Sequence, residues 1–169
     1  MMLSEKTSEA LDIIIGRFFD LNRSFDRAVS VMQNKWTMPQ ASDIIHHKLA
    51  HIWPLMADVV SGFKDQYNVL TYYPETHGDG RDYQDLGDMW ETMLKEVADT
   101  YEIIKMGYGV ASENKDLNAI VMLQNLIDNM TILIGQVITL RDKAVAEPRE
   151  YNRFDRYISS WGIDGIELN

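Results

Sequence analysis

Apolar residues recur along this chain at intervals of three and four, the spacing that draws one stripe down a helix, and strict alternation is nowhere sustained. The first stripe runs Leu11, Ile14, Ile15, Phe18, Leu21, Phe25, Ala28, Val29 and Met32. Ser8 is suited to cap its start, and acidic Glu9 and Asp12 suit the positive end of a helix. The pattern breaks over Asn34–Gln40, where Pro39 fits a turn or a first helical position. A second helix is predicted from near Ser42, burying Ile44, Ile45, Leu49, Ile52, Met56, Val59, Val60, Phe63, Tyr67 and Leu70. Pro54 lies inside it. Its ring removes a backbone donor and crowds the carbonyl of Ala50, which predicts a kink or, alternatively, two shorter helices.

Tyr73–Asp85, with Pro74, Gly78 and Gly80, reads as a loop. A third helix follows through Leu86, Met89, Trp90, Met93, Leu94, Val97, Tyr101 and Ile104, weakening at Gly107 and Gly109. The fourth starts near Lys115, places Leu117, Ile120, Val121, Leu123, Leu126, Ile127, Met130, Ile134, Val137 and Ile138 on its apolar face, and ends before Pro148. A short last piece puts Tyr151, Phe154, Ile158 and Trp161 on one side until Gly162 and Gly165 release it. With Tyr157, Arg149, Arg153 and Arg156, this tail offers a subunit contact or closes the bundle's own end. Four long helices in two pairs, joined by one long middle connection, outline an all-α, ferritin-like four-helix bundle with a short C-terminal helix. A plain up-down bundle is the alternative if the middle segment is compact. One domain over 1–169 is expected, with its core at about 8–145 and an appendage at about 149–169.

The second helix carries the best chemical signal. Asp43, His47 and His51 stand at i, i+4 and i+8, on one helical face, and Asp58 and Asp65 continue it at sevens. His46 adds an imidazole that an α-helix points elsewhere. Imidazoles one turn apart chelate a single ion, and imidazole with carboxylate suits iron, zinc or manganese. These six residues are the candidate metal ligands; the plain alternative is a solvated polar face. Further carboxylates stand at Asp20, Asp26, Glu91, Glu96, Asp99, Glu102 and Asp128, but two inward Glu-x-x-His motifs, which an intrasubunit di-iron centre needs, are not found. The loop acids Glu75, Asp79 and Asp82 with His77 lack the ligand spacing of an EF-hand.

Composition narrows the chemistry further. No cysteine occurs among the 169 residues, so any metal site relies on His and carboxylate ligands. The net charge of −10 disfavours nucleic acid and anionic lipid and favours cations. The start MMLSEKTSEALD has neither a basic segment nor an unbroken apolar run, and charge-free Asn129–Leu140 is too short to span a bilayer. A soluble cytoplasmic protein without a membrane partner is expected.

Lys35-Trp36 followed by His46-His47, then Ala57-Asp58, Asp65-Gln66-Tyr67, Leu70 and Pro74, and later Ala111–Asp116 with Leu123, Leu126, Ile127 and Leu133, resemble the Dps-type mini-ferritins. The resemblance covers about 8–145. It implies a homo-oligomer of ferritin-like subunits that binds, stores or detoxifies iron in response to stress, with ferroxidase ligands shared between subunits. Lys35 stands where that family has a first-helix His. The later ligand positions fall on Ser61 and Asp65, or on Gly62 and Gln66, so the ferroxidase set is incomplete here. Lys6 is the single basic residue before the first helix, so the lysine-rich tail of DNA-coating members is missing and direct DNA binding is disfavoured. Two alternatives stand beside iron handling: a non-catalytic oligomerisation or protein-interaction module, and a metalloenzyme using His46, His47, His51 and Asp43.

Overall fold

The computed structural model describes residues 2–168, and every ordered element is helical. Helix α1 spans Glu5–Asn34 and buries its predicted stripe from Leu11 to Met32. Its cap is Ser4, a turn ahead of the expected Ser8. The Ser4 hydroxyl accepts from the Thr7 N–H at 3.2 Å and donates to Asp116 at 2.8 Å, tying the start of α1 to a distant corner.

The second long helix starts at Pro39, in the first helical position, and has three parts: α2 (Pro39–Ile45), a π-helical turn (His46–Ala50) and α3 (Ile52–Asp65). The irregularity predicted at Pro54 is therefore a widened turn just before the proline. In an α-helix the residue at position 54 would donate its N–H to the Ala50 carbonyl, and Pro54 has no hydrogen to give. Asn22 of α1 donates its side-chain amide to that carbonyl at 3.1 Å. The helix also stops earlier than the apolar pattern predicts. Asn68 turns the chain at a φ of +55°, and Leu70 is exposed.

Residues 66–85 run back along the bundle beside α1. Pro74 packs against Gly16, where an added Cβ would lie 2.9 Å from the proline ring, and Tyr73 packs on Phe19. Arg27 donates to the carbonyls of Arg81 and Gly80, and Lys35 donates to Asp82 at 2.6 Å. The crossover thus starts beside the early turns of α1 and delivers the chain to its far end.

There α4 begins. It spans Leu86–Glu113, is capped by Asp85 and passes through Gly107 and Gly109 without breaking. Gly107 persists because Ile14 fills the space, 2.8 Å from where a Cβ would stand. A three-residue corner with Lys115 at positive φ leads to α5, Leu117–Ala146. Ion-paired Asp12 and Lys64 set α1 and α3 antiparallel, and Phe25 level with Trp90 does the same for α1 and α4. Consequently α3 and α4 run in the same direction, which is why the crossover must be long. This is the expected four-helix bundle with a long second connection.

By length and composition α5 could cross a membrane. Here its stripe Leu123, Leu126, Met130, Leu133, Val137 and Leu140 is buried in the bundle. Leu117, Val121 and Ile138, expected on that stripe, are exposed, so α5 is apolar on more than one face. The tail forms α6 (Tyr151–Tyr157) and a 3₁₀ turn (Ile158–Ser160) and closes the bundle's own end. Asp155 accepts from the Ala41 N–H at 2.7 Å at the start of α2, Tyr151 stacks on Trp36, and Phe154 meets Trp161 edge-on.

Candidate metal centre

The π turn decides which ligands meet. Residues five apart in an α-helix point about 140° apart, which would separate His46 from His51. The π turn stacks them instead, and the His51 N–H reaches the His46 carbonyl, five residues back, at 3.3 Å. Their ring centroids lie 4.2 Å apart, closer than the 5.6 Å of the i, i+4 pair His47 and His51. The expectation that His46 points elsewhere is thus overturned by local backbone geometry. Each of the three imidazoles offers a ring nitrogen, and these nitrogens all lie within 4.8 Å of one another. No other group of three His or acidic residues among the described residues converges in this way.

Asp43 lies outside that set of converging donors but holds one member of it, Oδ1 standing 3.3 Å from His47 Nε2. A carboxylate beside a ring nitrogen can bias the orientation of the ring. Asp58 and Asp65 are exposed further down α3, roughly 10 and 20 Å along the axis from His51 at the usual rise per residue. The predicted line of six is therefore a cluster of three, one orienting acid and two outlying acids. His47 and His51 are exposed and His46 is partly covered, so the cluster faces solvent.

The centre of the bundle has a different character. Phe18, Phe25, Trp53, Met56, Trp90 and Met93 fill it at 0% exposure, while Glu91, Asp99, Glu102 and Asp128 lie outside. Lys35, at the position implied for a first-helix ligand, gives its ammonium to Asp82 and to the Tyr83 carbonyl.

A second polar group sits under the crossover. Arg81 bonds Asp79 at 2.6 Å, Ser24 at 3.1 Å and Glu96, clasping the strap to α1 and α4. Burial pushes the Asp79 carboxyl up, but the Arg81 side chain and backbone N–H more than offset it and hold the group below its ordinary value. A pocket of about 260 Å³ beside the clasp is lined in part by Arg17, Asp20, His77 and Asp99. Arg81 was not singled out by sequence reasoning, although an arginine beside three loop acids was a usable signal. Lys64, fully buried on α3 against Asp12, was missed too. It stands four residues after Val60, on the apolar stripe itself.

No family model matches the chain, and no curated protein matches it in sequence. Its fold is similar to that of an open-pore ferritin from the hyperthermophilic archaeon Archaeoglobus fulgidus, with a TM-score of 0.86 over 94% of this chain and 96% of that one. The two sequences are 12% identical. The chain has the ferritin-like fold, and the likeness extends over nearly the whole of both proteins.

Proposed function

We propose that this protein is a ferritin-like metal-binding protein that works as a homo-oligomer and holds divalent transition-metal ions, with iron as cargo to be stored or detoxified. The observation that carries this reading is the convergence of His46, His47 and His51 on one π turn. Three imidazoles on one helical turn suit such ions, and the charge of −10 concentrates cations around the assembly. The similar archaeal protein is described as an open-pore ferritin, which makes iron the first cargo to test. Exposed Leu117, Val121, Ile132 and Val145 on α5, with Leu55 and Val59 on α3, supply apolar area for contacts between subunits. Dps-type specificity follows the sequence resemblance. Ferroxidase activity is not part of the proposal, because Lys35 is committed to Asp82.

Elemental analysis of the purified protein, read beside its mass by light scattering, tests the reading. An assembly of several subunits that accumulates iron on exposure to Fe²⁺, and accumulates less when His47 and His51 are both changed to Ala, supports it. A monomer that takes up no metal overturns it. A large assembly that takes up no metal favours the non-catalytic oligomerisation module instead.

A further inference from the structure

The donor set of the histidine cluster bears on which class of ion it would take. This inference rests on reading the cluster as a metal site and adds the class of ion. Three imidazole nitrogens converge, and no carboxylate oxygen belongs to the converging set. Hard ions such as Mg²⁺, Ca²⁺ and Fe³⁺ take oxygen ligands, so this set gives them little. Among divalent first-row ions a fixed nitrogen site binds progressively more strongly from Mn²⁺ and Fe²⁺ toward Ni²⁺ and Cu²⁺, with Zn²⁺ well above Fe²⁺.

The geometry supports the same choice. A tetrahedral ion with Zn–N bonds of about 2.0–2.1 Å needs its nitrogens roughly 3.4 Å apart. The nitrogens here already lie within 4.8 Å of one another, on side chains that are exposed or partly covered and so have room to turn toward an ion. Asp43 Oδ1 stands 3.3 Å from His47 Nε2, close enough to bias the orientation of that ring. The fourth position faces solvent and is left for water. We infer that His46, His47 and His51 form a three-nitrogen surface site for a zinc-class ion, Zn²⁺, Ni²⁺ or Cu²⁺, in preference to Fe²⁺, with Asp43 as its orienting residue.

Anaerobic titration calorimetry on the full chain with Zn²⁺, Fe²⁺ and Mg²⁺ in turn tests this. One Zn²⁺ per chain is expected at the cluster, at least tenfold tighter than Fe²⁺, with no Mg²⁺ binding there. His46→Ala and His51→Ala should each weaken Zn²⁺ at least tenfold, whereas His77→Ala, in the crossover, should leave it unchanged. Asp43→Asn should weaken Zn²⁺ roughly tenfold while keeping the one-to-one stoichiometry, as expected for a residue that orients a ligand. Co²⁺ should give the intense absorption of a tetrahedral site in wild type and lose it in His46→Ala. Circular dichroism confirms that each variant is folded. Fe²⁺ binding at the cluster as tightly as Zn²⁺ overturns the zinc-class assignment and leaves the functional reading standing, whereas Zn²⁺ binding that survives His51→Ala overturns the assignment of the ion to this cluster. If no ion binds at the cluster, both this inference and the functional reading above lose their footing.

Discussion

The side-chain amide of Asn22 on α1 donates to the carbonyl of Ala50 at 3.1 Å, and this is the carbonyl that Pro54, four residues on, cannot pair. A buried carbonyl without a partner costs about 1–3 kcal/mol, so one residue on a neighbouring helix makes the π turn affordable. Asn22→Ala should therefore lower stability by about 1–2 kcal/mol in urea unfolding. Pro54→Ala restores an N–H at the right distance in sequence to pair the Ala50 carbonyl. In that background Asn22→Ala should cost clearly less, and the difference is the coupling read by a double-mutant cycle. Equal costs in both backgrounds would show that Asn22 supports the fold in some other way.

The bundle outline was legible because it depends on burial, and burial leaves a periodic trace. Leu11 to Met32 on α1 and Leu86 to Val97 on α4 sit where their spacing places them. The stripe failed where an apolar residue marks no core position. Leu70 extended the apparent second helix past its real end at Asp65, and Leu117 and Val121 belong to an outward apolar face of α5. At the candidate site, the i, i+4 rule grouped His47 and His51 with Asp43 and set His46, though a candidate ligand, on another face. Helical periodicity presumes an unbroken register, and the π turn shifts that register by one residue at the histidines. Pro54 announced an irregularity, while the Ala50 carbonyl it frees is paired by Asn22, 28 residues before Ala50 in the chain. No local pattern carries that information.

Lys64 is completely buried and its ammonium is paired with Asp12, holding α3 to α1. Removing one partner of such a pair leaves an uncompensated charge in the interior, whereas replacing both by apolar residues of similar volume is often close to neutral. Lys64→Met alone should cost about 3–5 kcal/mol, and the double change Lys64→Met with Asp12→Leu much less. Thermal and urea unfolding of the single and double variants check this. A double variant as unstable as the sum of its parts would mean that the pair itself, rather than its completeness, holds the helices together.

The crossover clasp gives stability a pH dependence with a definite sign. Arg81 holds the Asp79 carboxyl below its ordinary 3.8, net of an opposing burial effect, and Lys35 holds exposed Asp82 below the same value. Groups whose folded value is depressed are bound by protons more readily in the unfolded chain. Their contribution is present above about pH 4 and is lost as pH falls through the lower folded values. Burial pushes the Tyr83 hydroxyl the other way, up to about 12, so its contribution is intact below 10 and fades as pH rises from 10 toward 12. Urea midpoints should therefore fall on both sides. Asp79→Asn should flatten the acid limb, and Tyr83→Phe should flatten the alkaline limb while leaving the acid limb alone. An acid limb as steep in Asp79→Asn as in wild type would remove the clasp from the account.

Gly165 is held between two elements, and the tail's grip on the π turn depends on it. Its carbonyl accepts from the Gln136 side chain and its N–H donates to the same side chain, both at 2.8 Å, which fixes it to α5. On its other side a Cβ would stand 2.4 Å from the carbonyl oxygen of Lys48, in the middle of the π turn. Its φ of +66° adds a conformational cost for any other residue. Gly162 supplies the control, because its φ is +70° and a Cβ there would touch nothing within 4 Å. Gly162→Ala should thus cost only the left-handed term, about 1–2 kcal/mol. Gly165→Ala carries the same term plus a collision with backbone that cannot rotate away, so it should cost at least about 1 kcal/mol more than Gly162→Ala. The relief for that collision is to lift the tail from α5 or to push Lys48 and its neighbouring histidines outward. Gly165→Ala should consequently weaken Zn²⁺ binding several-fold, whereas Gly162→Ala should not. Unfolding and zinc titration of the two variants side by side separate the steric contact from the φ effect. Equal losses in both would mean that the tail passes the π turn without bracing it.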